Sequence, residues 1–373
     1  MMPVTINKKW TKRKSWTRIV RRVLYWTIPV VVLYLVFQRI DFDALRSSLA
    51  QTNPWIVVVG IGLSPALILI GAVRWRILLG QYHRRSVPVG FVLKHYWIGL
   101  ALGVFAPGQI GWDVYRVVAS GRRFGHYGAN VAVILVEKLI ALITCLSLVL
   151  ALYPLLPVER SAAVESVLEV AVPLFFACLV LVAIMAFALR NRVVTDWVDR
   201  MEVRLGRVID RLAARFRAGI QKSNARVPLR LLMEPLVTPR EVLPVLALSF
   251  AIQLVAATRA QVFLRALGYS LPFLANLWIA PVLFFVFLLP VSFGSLGVRE
   301  VAFILLYGLF GVPPEIALLL SFFNLFGILL NSLIGGVVLL VSSARIRDGA
   351  VVFSRDLLPA TDQFSNEDPE HAD

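Results

Sequence analysis

The sequence predicts an all-α fold, a polytopic membrane helix bundle of about six full spans plus two re-entrant hairpins built as an inverted repeat. Three observations carry this reading. Hydrophobic residues make up 59% of the 373 residues and charged ones 16%, with a mean hydropathy of +0.79, more apolar material than a soluble core needs. Several apolar runs exceed the roughly 18 residues that mark a spanning segment, and in lipid such runs are helical because every backbone polar group must be satisfied internally. One block, Pro-x3-Gly-x4-Arg, occurs twice, as "PGQIGWDVYR" at 107–116 and "PVSFGSLGVR" at 290–299.

Residues 1–22 form a basic N-terminal segment. The apolar run 23–37 behind it is read as a retained first span, since its basic region is long for a signal peptide and further spans follow. Apolar runs then fall at 54–79, 89–106, 128–153, 167–189, 241–267, 273–289, 300–311 and 315–341. The connectors 38–53 and 154–166 hold few Lys or Arg, whereas 80–87, 121–126, 190–240 and 342–348 are basic. With the N-terminus cytoplasmic, a single crossing by 89–106 would put the basic 121–126 and 190–240 outside, against the positive-inside rule. The conflict disappears if 89–106 enters the membrane and 108–122 returns on the same side. Both termini are then cytoplasmic, and the chain sits in a cell (inner) membrane.

Residues 190–232 repeat Trp197, Met201, Leu205, Val208, Leu212 and Phe216 at spacings of three or four, beside an arginine stripe. This pattern predicts an amphipathic helix on the cytoplasmic surface, with a linker helix packed on the bundle as the alternative. Residues 346–373 read as a polar, acidic tail.

The repeats cover about 53–153 and 238–341, within a transmembrane domain of 23–345. Pro54 to Arg74 and Pro239 to Arg259 are each 20 residues, and Pro88 and Pro272 lead into "WI" at 97–98 and 278–279. The first repeat starts outside and the second inside, so their hairpins open to opposite sides. Transporter sites lie near such breaks, where half-helix ends supply backbone donors and dipole ends. The competing reading gives the glycines only a packing role.

Charges within a bilayer are costly and each needs a reason. The residues expected to hold a lipid head group are Arg74, Pro107, Gly108, Gly111, Asp113, Arg116, Glu137 and Lys138 in the first repeat, and Arg259, Pro290, Gly294, Gly297, Arg299, Glu300 and Asn324 in the second. Guanidinium suits phosphate through its planar fork of donors. The alternative pairs these charges internally or snorkels them to the interface. Asp113 and Arg116, three apart on a helix, can pair. Glu137 and Lys138 form either a charge relay or a structural pair.

The net charge of +16 beside membrane helices points to anionic membrane lipids as partners and not to nucleic acid. Cys145 and Cys178 show no CxxC spacing and the four histidines are scattered, so no metal and no cofactor is expected. The sequence holds no GxSxG, Walker loop or HExxH, and catalysis is not the expected role.

"PGQIGWDVYR", "LPVSFGSLGVRE" and "GVPPEIALLLSFFN" together resemble the flippase-like transmembrane region of lysylphosphatidylglycerol synthases, over roughly residues 20–345. Two departures stand out. Trp112 replaces a second glycine of the first motif, and Glu137-Lys138 stands where an acidic residue and Arg are common. The resemblance implies a stand-alone member without the aminoacyltransferase domain. Its implied role is to translocate or handle a polar lipid between leaflets: a phospholipid, an aminoacylated lipid, a hopanoid or a polyprenyl-linked lipid. The alternatives are a membrane subunit or enzyme of lipid-linked glycan or hopanoid synthesis, with a lipid-synthesis enzyme as partner, and a scaffold that recruits through 190–240.

Overall fold

The computed structural model describes residues 31, 33–35, 37, 38, 40–104, 110–125, 127–156, 162–190, 239–288, 296–347 and 350–353. Most of the predicted first span, residues 191–232 of the amphipathic segment and most of the acidic tail lie outside these.

The described residues form eleven α-helices, in agreement with the all-α expectation. The short α1 (Phe42–Gln51) starts where the Asp41 carboxylate accepts from the backbone of Asp43 and Ala44. Next, α2 (Pro54–Gly62) and α3 (Ser64–His83) make one 30-residue apolar span. Asn53 caps it, Pro54 fills the first turn where no N–H is needed, and the break falls at Leu63, before Pro65. The other long apolar helices are α6 (Tyr127–Leu152), α8 (Pro239–Ala266) and α11 (Pro314–Ser343). The 29-residue α7 (Ala162–Arg190) follows the first repeat. After α11, two short strands, β1 (Ala344–Arg347) and β2 (Ala350–Phe353), pair antiparallel at the start of the predicted tail.

Both predicted hairpins are present as helix pairs. The first joins α4 (Val89–Gly103) and α5 (Ile110–Phe124), of 15 residues each; the second joins α9 (Phe273–Leu288) and α10 (Val298–Gly308), of 16 and 11. At 1.5 Å per residue these helices measure about 17–24 Å, short of the ~30 Å hydrocarbon core. Trp112 shows how the first hairpin closes. A Cβ at Gly99 would lie 2.6 Å from Trp112 Cδ1, and one at Gly103 would lie 3.0 Å from Trp112 Cβ. Two glycines on α4 therefore make room for the indole that α5 carries in place of a glycine.

Two apolar clusters organise the bundle. One gathers Trp75, Leu78, Tyr96, Val133 and Val136; the other gathers Phe263, Trp278, Phe303, Tyr307 and Leu319. The central helix α6 feeds both, through Val133 and Val136 at one end and Leu146 and Val149 at the other. Leu333, Leu340 and Val341 of α11 stay exposed, as a lipid-facing side requires.

Equivalent parts of the two repeats meet reciprocally. Arg74 Nη1 donates to Ser249 Oγ at 3.0 Å, and Arg259 Nη1 donates to Ser64 Oγ at 3.1 Å. Ser64 lies ten residues after Pro54 and Ser249 ten after Pro239, so each arginine holds the serine equivalent to the one that holds its counterpart. The Asn53 N–H bonds the Ala266 carbonyl at 3.0 Å, so α2–α3 and α8 run antiparallel. The "WI" tryptophans behave alike. Trp97 of α4 donates to Asn331 on α11 at 3.3 Å, and Trp278 of α9 donates to the Val149 carbonyl on α6 at 3.2 Å. Each hairpin thus docks on the last span of the other repeat. Such reciprocal contact is what a two-fold relation between equivalent surfaces produces.

Candidate functional site

A cavity of about 330 Å³ lies where the repeats meet. Arg74, Arg116, Glu137 and Lys138 line it from the first repeat, and Arg259, Arg299 and Asn324 from the second. Aromatic and aliphatic side chains, among them Tyr96, Trp112, Phe287 and Tyr307, form the rest of the wall. This composition, mostly apolar with a few convergent polar groups, is typical of a binding site.

In the first repeat the charges form one connected network. Glu137 Oε1 accepts from Arg74 at 2.7 Å and Oε2 from Arg116 at 2.9 Å. Arg116 also reaches Asp113 Oδ1 at 2.6 Å, one helical turn back, and Lys138 reaches Asp113 Oδ2 at 3.2 Å. The guanidinium carbon of Arg116 sits 5.4, 5.1 and 5.2 Å from the ring centroids of Trp75, Tyr96 and Trp112, a cation–π arrangement that covers the arginine almost completely. Only 1% of it is exposed. Gly71 allows the close approach of the Tyr96 hydroxyl behind it.

The Asp113–Arg116 pair is therefore formed as expected. Glu137 and Lys138 reach different hydrogen-bonded partners. Neighbours on a helix point about 100° apart, so Glu137 turns to two arginines while Lys138 reaches Asp113.

The second repeat is built differently. Arg259 is 8% exposed; its one hydrogen bond is to neutral Ser64, and its buried Nε has no acceptor among the described residues. Arg299 lies with its guanidinium carbon 5.7 Å from the Phe287 ring centroid. Glu300, beside it in sequence, faces elsewhere: Oε2 accepts from the Gly297 N–H at 2.6 Å and Oε1 from Ser321 at 3.4 Å. Gly297 opens α10 at φ 80°, a left-handed conformation that favours glycine, and Glu300 closes the cap from the third helical position.

Of the other expected site residues, Gly111 lies in the first turn of α5; it, Asp113, Gly297 and Glu300 are not among the residues that line the cavity. Pro107, Gly108, Pro290 and Gly294 lie outside the described residues. Sequence reasoning missed Ser64 and Ser249, although their shared offset from Pro54 and Pro239 was visible once the repeats were aligned. It also missed Tyr96 and Tyr307, which no spacing distinguishes from ordinary core aromatics. Tyr307 donates to Asn276 at 3.1 Å, and Asn276 donates to Gln261, extending a polar chain behind the cavity wall.

The family model described as the lysylphosphatidylglycerol synthase TM region matches residues 19–335. The chain belongs to this family. No curated protein and no solved structure matches it significantly. Membership agrees with the helical bundle and makes the chain an integral membrane protein of a family tied to lipid handling.

Proposed function

We propose that the chain translocates a polar lipid between leaflets, its head group passing through the cavity between the repeats while its tails remain in the bilayer. The observation that carries this reading is the cavity itself. It lies where segments 53–153 and 238–341 exchange Arg–Ser hydrogen bonds, each segment contributing a pair of short helices and buried cations. An inverted repeat offers two related arrangements of one fold, one open to each side, around a fixed central site. The reading places both termini in the cytoplasm of a cell membrane and the hairpins on opposite sides.

A catalytic role in lipid-linked synthesis has less support, because Asp113, Glu137 and Glu300 are all engaged as acceptors within the protein.

The test is leaflet-resolved lipid analysis in cells with and without the protein, joined to a reconstituted assay in liposomes. One lipid class should lose its leaflet asymmetry when the protein is absent, and liposomes holding the protein should move that class faster than empty ones. Unchanged asymmetry together with no acceleration for any lipid would exclude translocation.

A further inference from the structure

A chain of hydrogen bonds behind the cavity wall fixes what one hydroxyl of that wall can offer, which deepens the proposed function on which the following rests. The chain starts at the Leu271 carbonyl, which can only accept. Gln261 Nε2 donates to it at 3.0 Å, so Gln261 Oε1 is the end that meets Asn276. Asn276 Nδ2 donates to that oxygen, which leaves Asn276 Oδ1 facing Tyr307. The Tyr307 hydroxyl donates to Oδ1 at 3.1 Å. One acceptor-only carbonyl thus sets both amide orientations and commits the phenolic proton to the wall. All three side chains are buried. What Tyr307 keeps for the cavity it lines is an acceptor, the lone pairs of its oxygen.

Arg259 supplies donors beside it. Its Nη1 reaches Ser64 at 3.1 Å, and its buried Nε meets no acceptor among the described residues. The ionisable groups that act on its guanidinium are Tyr307 and Arg299, with no carboxylate among the described ones. A buried guanidinium so placed favours a charged acceptor, because charge-assisted hydrogen bonds are the strong ones. Asn324 adds a third group. It lines the cavity and makes no hydrogen bond among the described residues, so its amide can both donate and accept. One helical turn further on, Gly327 packs against the same pair: a Cβ there would run into Ser64 Oγ and lie 3.9 Å from Arg259 Nη1.

We infer that the cavity takes an anionic phospholipid whose head group carries a free hydroxyl beside the phosphate, the phosphate accepting from Arg259 and the hydroxyl donating to Tyr307, with Asn324 as a second hydroxyl contact. A hydroxyl suits this wall on both counts, since it donates to the Tyr307 oxygen and accepts from the Asn324 amide. An alkyl head group of the same charge leaves both unsatisfied, and a site built to bond a hydroxyl discriminates against the analogue that lacks it. Tyr307 and Asn324 then set head-group specificity, and Arg259 sets the preference for charge.

The experiment is lipid binding to the full chain in detergent, followed by intrinsic tryptophan fluorescence, since Trp112 lines the cavity. The probes are short-chain phosphatidylglycerol, phosphatidylpropanol, which has the same charge and carbon skeleton without the hydroxyls, and neutral glucosyl diacylglycerol. Phosphatidylglycerol should bind about fivefold tighter than phosphatidylpropanol, the ratio that one net hydrogen bond supports, and the glucoside should bind more weakly than phosphatidylglycerol. Tyr307→Phe should bring the two phospholipids close to parity by weakening phosphatidylglycerol alone, and Asn324→Leu should lower the same ratio. Arg259→Gln should weaken both phospholipids about tenfold, as loss of a charge-assisted contact does, and keep their ratio. Parity on the unsubstituted protein, or a ratio that neither Tyr307→Phe nor Asn324→Leu moves, overturns the hydroxyl assignment. A glucoside that binds as tightly as phosphatidylglycerol overturns the anionic one. Both outcomes leave translocation standing, and the liposome assay judges it separately. Binding of none of the three overturns the whole head-group assignment. If Tyr307→Phe fails to fold because it strands the Asn276 oxygen, Asn324→Leu decides, since that residue has no hydrogen bond among the described residues to lose.

Discussion

In the first repeat Arg74 and Arg116 share Glu137, Asp113 adds a second carboxylate, and three aromatic rings enclose Arg116. In the second repeat the equivalent Arg259 has Ser64 as its hydrogen-bond partner among the described residues, and the carboxylate next to Arg299 caps a helix instead. The same residue type at the same repeat position therefore does different work. A buried guanidinium fixed by two carboxylates is part of the framework, and moving it strands its partners. A buried guanidinium fixed by a hydroxyl keeps donors available for a ligand.

The comparison can be broken most severely at Glu137. Glu137→Gln leaves Arg74 and Arg116 without their shared anion. By the precedent of broken buried pairs the cost is about 3–5 kcal/mol, read as a large loss of folded yield and thermal stability in detergent. A variant as stable as the parent would show that the network is not structural. Arg116→Gln should cost nearly as much, because it takes one cationic donor from each of Asp113 and Glu137 and empties the aromatic enclosure. Adding Asp113→Asn should return part of the loss, with a coupling of about 0.5–3 kcal/mol in a double-mutant cycle. Strict additivity would mean that the two side chains do not depend on each other.

Smaller effects sharpen the contrast. Ser64→Ala and Ser249→Ala each remove one hydrogen bond to an arginine, worth about 1 kcal/mol. The consequences should differ, because Arg74 keeps Glu137 when Ser249 is lost, whereas Arg259 loses its one described partner with Ser64. Lipid translocation should therefore fall several-fold in Ser64→Ala and little in Ser249→Ala. Equal losses would make the two arginines functionally equivalent. The smallest stability effect belongs to Arg259→Gln, whose melting temperature should match or exceed the parent's while translocation is largely lost. A clearly destabilised Arg259→Gln protein would place Arg259 in the framework beside Arg116.

Much of the molecule was legible before any coordinates. Composition and run length determine the helical class, because lipid leaves the backbone no partner outside its own helix. The duplicated Pro-x3-Gly-x4-Arg block and the equal Pro-to-Arg spacings marked the repeats and the cations that face the cavity. The three-residue interval between Asp113 and Arg116 marked their pair, since one helical turn sets that contact. Other partners were not legible. Glu137 meets Arg74 across 63 residues, and Arg259 meets Ser64 across 195; no local period encodes such distances. Nor does the dipeptide Glu137-Lys138 reveal that its two charges serve different partners. Sequence alone determined that this chain lies in a membrane as a repeated helical bundle with arginines at matched places. Only the packing of one repeat against the other decided which arginines were neutralised, because carboxylates and hydroxyls reach them from helices far away in the chain.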